Sequence, residues 1–103
     1  MSRIREHMTA DRRLAILRLL VEAGGECGES SIEKSLRSLG FGSLLDREVV
    51  QQDFRFLAGV HCIDIEYYDA RIMVAAITKQ GQRCAGGLVE IEGISKPSQR
   101  GRD

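Results

Sequence analysis

Five polar side chains between positions 47 and 55 carry groups that can recognise DNA bases. They are Arg47, Glu48, Gln51, Gln52 and Arg55. A glutamine can pair bidentately with adenine, an arginine can pair with guanine, and a glutamate can accept a hydrogen bond from N4 of cytosine. This chemistry requires the five side chains to share one exposed helical face, so that they enter the major groove together.

Catalytic chemistry has weaker candidates. The two histidines, His7 and His61, are not near a cysteine or a paired carboxylate at any metal-ligand spacing. The cysteines are odd in number and widely spaced at Cys27, Cys62 and Cys84, which argues against both a disulfide framework and a thiol zinc site. Motifs of nucleotide-binding loops and of nucleophile elbows are absent from the sequence. We therefore expect a protein that is not an enzyme and that uses no metal, cofactor or small-molecule ligand.

The distribution of charge is uneven along the 103 residues, a length that suits a single domain. Fifteen basic and fifteen acidic residues cancel overall. Residues 1–23 and 95–103 each carry a net charge of +2, whereas residues 24–58 and 59–94 each carry −2. An acidic body with basic ends is not the usual electrostatic pattern of a strong nucleic-acid binder.

The two ends, residues 1–8 and 95–103, are expected to be flexible tails. Five cations in them could follow the phosphates of a duplex, and the alternative is that both ends only aid solubility: Arg3, Arg5, Lys96, Arg100 and Arg102. The amino end lacks the apolar stretch of a secretory signal, and no apolar run approaches the ~20 residues that cross a bilayer. We therefore expect a cytosolic protein without membrane contact.

Hydrophobic periodicity predicts three helices in the first part of the chain. The first is predicted over residues 10–23, with Thr9 as its N-cap. The second is predicted to begin at Ser30, in a capping box with Glu33, and to end at Gly40.

The third helix is predicted over residues 44–58, with its start signal at Ser43 and Asp46. Val50, Phe54 and Leu57 would face the core. A step of about 100° per residue then turns four side chains outward and leaves Arg47 at the edge of their face: Glu48, Gln51, Gln52 and Arg55.

The hydrophobic period changes to two after the third helix, which predicts a hairpin of strands 63–67 and 72–77. The tight turn would be Asp69–Arg71, with Arg71 as its cation. Four apolar residues of the hairpin are expected in the core: Ile63, Ile65, Ile72 and Val74. Thr78 should cap a short helix over residues 79–85, and residues 88–94 could form a brief strand or an extended stretch.

This order of elements predicts the α+β class and a single domain over residues 1–103. The architecture would be a winged helix-turn-helix, with a three-helix core, a two-stranded β-hairpin wing and a short carboxyl-terminal helix. The hairpin must pack on the helices, because an isolated two-stranded hairpin is only marginally stable.

Three segments resemble the small winged-helix proteins of Mu-like phages and prophages, which are often described as ArsR-like regulators. The segments are RRLAILRLL at 12–20, DREVVQQDFRFLAGVHCI at 46–63 and ITKQGQRCAGGLVEIEGISKPS at 77–98. Glu92–Gly93 stands where that family often has Pro-Gly. The resemblance covers nearly all of residues 9–98 and implies a winged-helix fold with a DNA-binding or regulatory role.

Two functions are compatible with these observations. The first is a winged-helix transcriptional regulator that binds double-stranded DNA through the third helix, the hairpin turn and the basic amino end. The second is a winged-helix adaptor that binds protein and no DNA. Some apolar residues exceed the needs of the core: Ile4, Met8, Leu14 and the stretch Leu88–Ile94. They favour a homodimer if the chain is a regulator and a partner surface if it is an adaptor.

Overall fold

The computed structural model describes residues 3–97 and contains four α-helices and a three-stranded antiparallel sheet. The elements in chain order are α1 (Arg3–Glu22), β1 (Glu26–Gly28), α2 (Glu29–Leu36), a π-helical turn (Arg37–Phe41), α3 (Arg47–Gly59), β2 (Ile63–Tyr68), β3 (Ile72–Ile77) and α4 (Lys79–Ala85). The predicted α+β class is confirmed, and the arrangement is compatible with the predicted winged helix.

Helix α1 begins seven residues before the predicted start, so Thr9 lies inside the helix and does not cap it. Residues 3–22 contain neither glycine nor proline, and a helix propagates readily through such a sequence once it has nucleated. Residues 3–8 of the predicted tail 1–8 are therefore helical, and residues 1 and 2 lie outside the described residues. Arg100 and Arg102 of the predicted carboxyl-terminal tail lie outside the described residues.

Helix α2 also starts earlier than predicted, with Gly28 rather than Ser30 at its N-cap and without a side-chain cap. It follows directly on β1, a three-residue strand that the sequence analysis missed. The expected left-handed backbone at Gly40 is confirmed, with φ of 97° inside the π-helical turn.

Helix α3 starts at Arg47 because Asp46 caps it, with a carboxylate oxygen accepting a hydrogen bond from the Val49 backbone N–H at 2.9 Å. Its predicted core face is confirmed, since Val50, Phe54 and Leu57 are fully buried.

The hairpin has the predicted strands and turn, but the predicted core face of β3 is wrong. Met73 and Ala75 are buried, whereas Ile72 is 47% exposed and Val74 only half-buried. The connection Asp69–Arg71 has three residues, which pairs Ile65 with Ala75. Directly opposed residues share a face, so the odd-numbered side chains of both strands point to the core.

The sheet order is β1-β3-β2, and every pair is antiparallel. Helix α4 follows β3 and is capped as predicted, with the Thr78 side chain accepting from the Gly81 backbone N–H at 3.0 Å. Residues 88–94 form no strand, although Ile94 is buried in the core. Within residues 3–97, no helix is both long and apolar enough to span a bilayer.

Neighbouring residues of α3 provide a test of its orientation. Phe54 is fully buried and Arg55 is exposed. Phe54→Ala should lower the free energy of unfolding by about 3–5 kcal/mol, because both transfer energy and packing are lost. Arg55→Ala should change it by no more than about 0.5 kcal/mol. Equal shifts in urea titrations of the two variants would contradict this orientation.

Two glycines should respond oppositely to alanine. A Cβ at Gly81 would lie 2.2 Å from the Cys62 carbonyl oxygen and 2.7 Å from Cγ1 of Ile77, whereas a Cβ at Gly59 would meet nothing within 4 Å. Gly81→Ala should therefore destabilise the fold by about 1–3 kcal/mol through overpacking. Gly59→Ala, in an α-helix, should stabilise it by up to about 1 kcal/mol. Thermal unfolding followed by circular dichroism measures both, and a neutral Gly81→Ala would refute the close contact between α4 and residue 62.

Candidate nucleic-acid interface and the groove beside it

Four of the five predicted base-reading residues are exposed on α3, and three of them lie on one side of the helix: Glu48, Gln52 and Arg55. Glu48, Gln52 and Arg55 are spaced four and three residues apart, so they form a single stripe along the helix. The stripe holds one acid, one amide and one base. Its side chains have the hydrogen-bonding groups for base contacts, but they bring no net positive charge.

Arg47 is also exposed, but it is held by α2. Its Nε donates to Oε1 of Glu33 at 2.7 Å, and Nη2 of Arg37 donates to the other carboxylate oxygen of Glu33 at 2.9 Å. These hydrogen bonds, with that from Arg47 the stronger, lower the pKa of Glu33 below its ordinary value. Arg47 therefore helps to join α2 to α3.

Gln51 does not belong to the outward face, which corrects the sequence prediction. Its amide nitrogen donates to Oε1 of Glu29 at 2.5 Å, and it is half-buried. Glu29 is itself only 2% exposed, and its second oxygen accepts from the Met73 backbone N–H at 2.9 Å. This buried carboxylate links α2, α3 and β3, and Gln51 is its partner.

The remaining predicted contacts lie on two other elements. Arg3 and Arg5 belong to the first turns of α1 and are exposed there. Arg71 is exposed in the connection of the hairpin, where Asp69 is also exposed. The outer face of β2 adds two further exposed carboxylates, Asp64 and Glu66. The hairpin is therefore an acidic element with one arginine at its turn.

Asp53 lies beside the candidate interface and was not singled out from the sequence. It is only 1% exposed. Arg12 contacts both of its carboxylate oxygens, through Nε and, at 3.1 Å, through Nη2. Nε of Arg13 lies 3.2 Å from the same carboxylate. Two arginines of α1 thus hold one buried carboxylate of α3.

Arg13 extends this cluster to the carboxyl-terminal segment. Its guanidinium carbon lies 3.7 Å from the centre of the Phe56 ring, and its Nη1 donates to the Gly93 carbonyl at 3.1 Å. A Cβ at position 93 would lie 2.6 Å from Cζ of Phe56, and the φ of Gly93 is +93°. The close approach and the left-handed backbone both require glycine here.

A signal in the sequence could have revealed both buried carboxylates. Asp53 lies three residues after Val50 and directly before Phe54, so it falls within the apolar stripe that was correctly predicted to face the core. Glu29 lies in the same way three residues before the buried Ile32. An acidic residue in phase with a core stripe requires a hydrogen-bonded partner.

A groove of about 600 Å³ separates the first half of α1 from α3 and the loop that precedes it. We call it the α1–α3 groove. Six of its residues matter below: Ile4, Arg5, Met8, Leu44, Val49 and Gln52. Arg12, whose guanidinium contacts Asp53, also lines the groove. Arg5 and Gln52, predicted on separate arguments, therefore line one depression.

Two apolar residues of the groove are largely exposed. Ile4 is 73% exposed and Leu44 is 75% exposed. Leu44 also has φ of 62°, in the left-handed region that a leucine rarely occupies. A strained, exposed leucine contributes little to folding, and such positions occur where a surface has a function.

The cysteines and histidines show no catalytic grouping in the described chain. Cys62 and Cys84 are buried free thiols that interact with each other, and burial raises the pKa of Cys62 to about 11. A thiol with that pKa is protonated at neutral pH and is a poor nucleophile. His61 has φ of 64° just after the C-cap of α3. Among residues 3–97, no three His, Cys, Asp or Glu side chains are grouped to hold a metal ion.

Adjacent leucines offer a test of the strain. Leu44→Gly should raise the free energy of unfolding by about 1 kcal/mol, because glycine adopts positive φ without a steric penalty. Leu45, which is 6% exposed, is the matched control, and Leu45→Ala should lower it by about 2–5 kcal/mol. Chemical denaturation measures both, and a destabilised Leu44→Gly variant would show that Leu44 supports the fold.

Comparison with known proteins gives relatives but no family model and no solved structure that match the chain. The chain is 31% identical over 97 residues to the uncharacterized protein gp26 of Escherichia phage Mu. The aligned residues are 94% of this chain and 98% of that protein. It is 35% identical over 81 residues to an uncharacterized protein of Haemophilus influenzae, covering 79% of this chain and 78% of that protein. The phage part of the sequence-based resemblance is thus confirmed: the chain belongs to the family of small Mu-like phage proteins that includes gp26 of phage Mu.

Proposed function

We propose that this chain is a winged-helix interaction module that binds a protein partner in the α1–α3 groove. The observation that carries the proposal is Leu44, an apolar side chain that is 75% exposed on a left-handed backbone at the groove. Ile4 and Met8 extend the apolar surface from α1. Exposed apolar surface of this kind commonly marks an interaction site.

The winged-helix assignment is supported by the order of the elements. Helices α2 and α3 are joined by residues 37–46, which include the π-helical turn. The hairpin of β2 and β3 follows, and β1 adds a third strand beside β3. In such a fold α3 is the helix that can present its outer face to DNA.

DNA binding is the second candidate, favoured by the exposed neighbours Gln52 and Arg55 on α3. Electrostatics favour the first candidate instead. The outward stripe of α3 carries one acid and one base, and Arg47 is engaged by Glu33. Phosphate contacts from lysine and arginine supply most non-specific affinity for DNA, and this surface offers few of them. A dimer that spaces two α3 helices over half-sites would be the form able to bind a duplex usefully.

One paired experiment tests both candidates. A library of displayed twelve-residue peptides is selected on the wild-type protein and counter-selected on Leu44→Gly. In parallel, a random duplex is titrated with wild type and Arg55→Ala between 50 and 200 mM salt. We expect peptides that bind wild type and lose binding to Leu44→Gly, and only weak duplex binding.

The opposite pattern would overturn the proposal. If no peptide discriminates Leu44→Gly, while duplex affinity falls steeply with salt, DNA is the ligand. In that case Arg55→Ala should cost about 1–3 kcal/mol on a preferred site, because an arginine-to-base contact is lost.

A further inference from the structure

A cluster of two arginines and one carboxylate lies beside the α1–α3 groove. Arg12 lines the groove and shares the carboxylate of Asp53 with Arg13. Two guanidiniums and one carboxylate leave a net charge of +1. The two arginine side chains are only 15% and 20% exposed, so solvent screens this charge less than it would at an open surface.

The described lining of the groove contains a second guanidinium and no carboxylate. Arg5 stands at its edge, and the other lining side chains are apolar, hydroxyl or amide groups. The depression therefore combines an apolar surface, from Ile4, Met8 and Leu44, with positive charge on the α1 side. A ligand that matches it must bring apolar groups and negative charge together.

We propose that the occupant is an acidic amphipathic helix of a partner protein. The groove runs between two helices, and along α1 it extends from Ile4 to Arg12, which is about 12 Å or just over two helical turns. A third helix can lay apolar side chains at i, i+3, i+4 and i+7 into such a groove. Its flanking Asp and Glu residues would then face Arg5 and Arg12.

Two other occupants fit the surface less well. A second copy that docked its own α1 here would bring Arg3 and Arg5 against Arg5 and Arg12, and like charges oppose such pairing. A DNA phosphate would match the charge but would leave Ile4, Met8 and Leu44 without apolar contacts. This inference rests on the proposed function, since it names the partner class for the same groove.

The test uses two synthetic helical peptides of fourteen residues with identical apolar positions, one with glutamates and one with lysines on the flanks. Binding to the full chain is followed by fluorescence anisotropy. We expect the glutamate peptide to bind at least ten-fold more tightly than the lysine peptide. Leu44→Gly should weaken it ten-fold or more, and Arg5→Glu should weaken it several-fold. Lys79→Glu, an equal charge reversal on α4, should leave binding unchanged.

Thermal melts establish that each variant is folded. Equal binding of both peptides, or tighter binding of the lysine peptide, would overturn the inference. Sedimentation that shows a dimer of the wild type, dissociated by Leu44→Gly, would assign the groove to a second copy and would also overturn it. Library peptides that depend on Leu44 but lack acidic residues would refute the acidic partner alone, and groove binding as the proposed function would stand.

Discussion

The buried carboxylate of Asp53 is the constraint on which the arrangement of the helices depends. A carboxylate that is 1% exposed loses its hydration and must be matched by fixed donors. Arg12 and Arg13 supply them, and both come from α1. The pairing therefore fixes which residues of α1 face α3. Removing one partner of such a buried pair typically costs about 3–5 kcal/mol, because the other charge is then left uncompensated.

The same cluster connects distant parts of the molecule to its surface chemistry. Arg13 also contacts the Phe56 ring and the Gly93 carbonyl, and these contacts position the segment after α4. Arg12 also lines the α1–α3 groove. One carboxylate shared by two arginines leaves a positive charge at that place. The fold therefore determines both the shape of the groove and the sign of the charge beside it.

Glu29 plays a comparable part on the other side of α3. By accepting hydrogen bonds from Gln51 and from the backbone of β3, it commits one candidate base-reading residue to the interior. Glu33 engages Arg47 in a similar way near the surface. These contacts leave the outward stripe of α3 without net charge. The apolar groove, with Leu44 in a strained conformation, is then the more distinctive surface of the described chain.

Sequence periodicity by itself determined the helical core and the hairpin. The stripe of Val50, Phe54 and Leu57 on α3 and the cap of α4 at Thr78 were predicted correctly, because local spacing and capping chemistry act within a few residues.

Tertiary structure decided the features that depend on distant partners. Strand β1 exists because β3 offers it an edge. The face of β3 could not be read from a strand that is apolar at every position, so its register comes from the three-residue connection to β2. Asp53 became an interior residue only because two arginines forty positions away meet it. Spacing along the chain specifies which face of a helix is buried, but only the packed fold specifies which groups from distant parts of the chain contact that face.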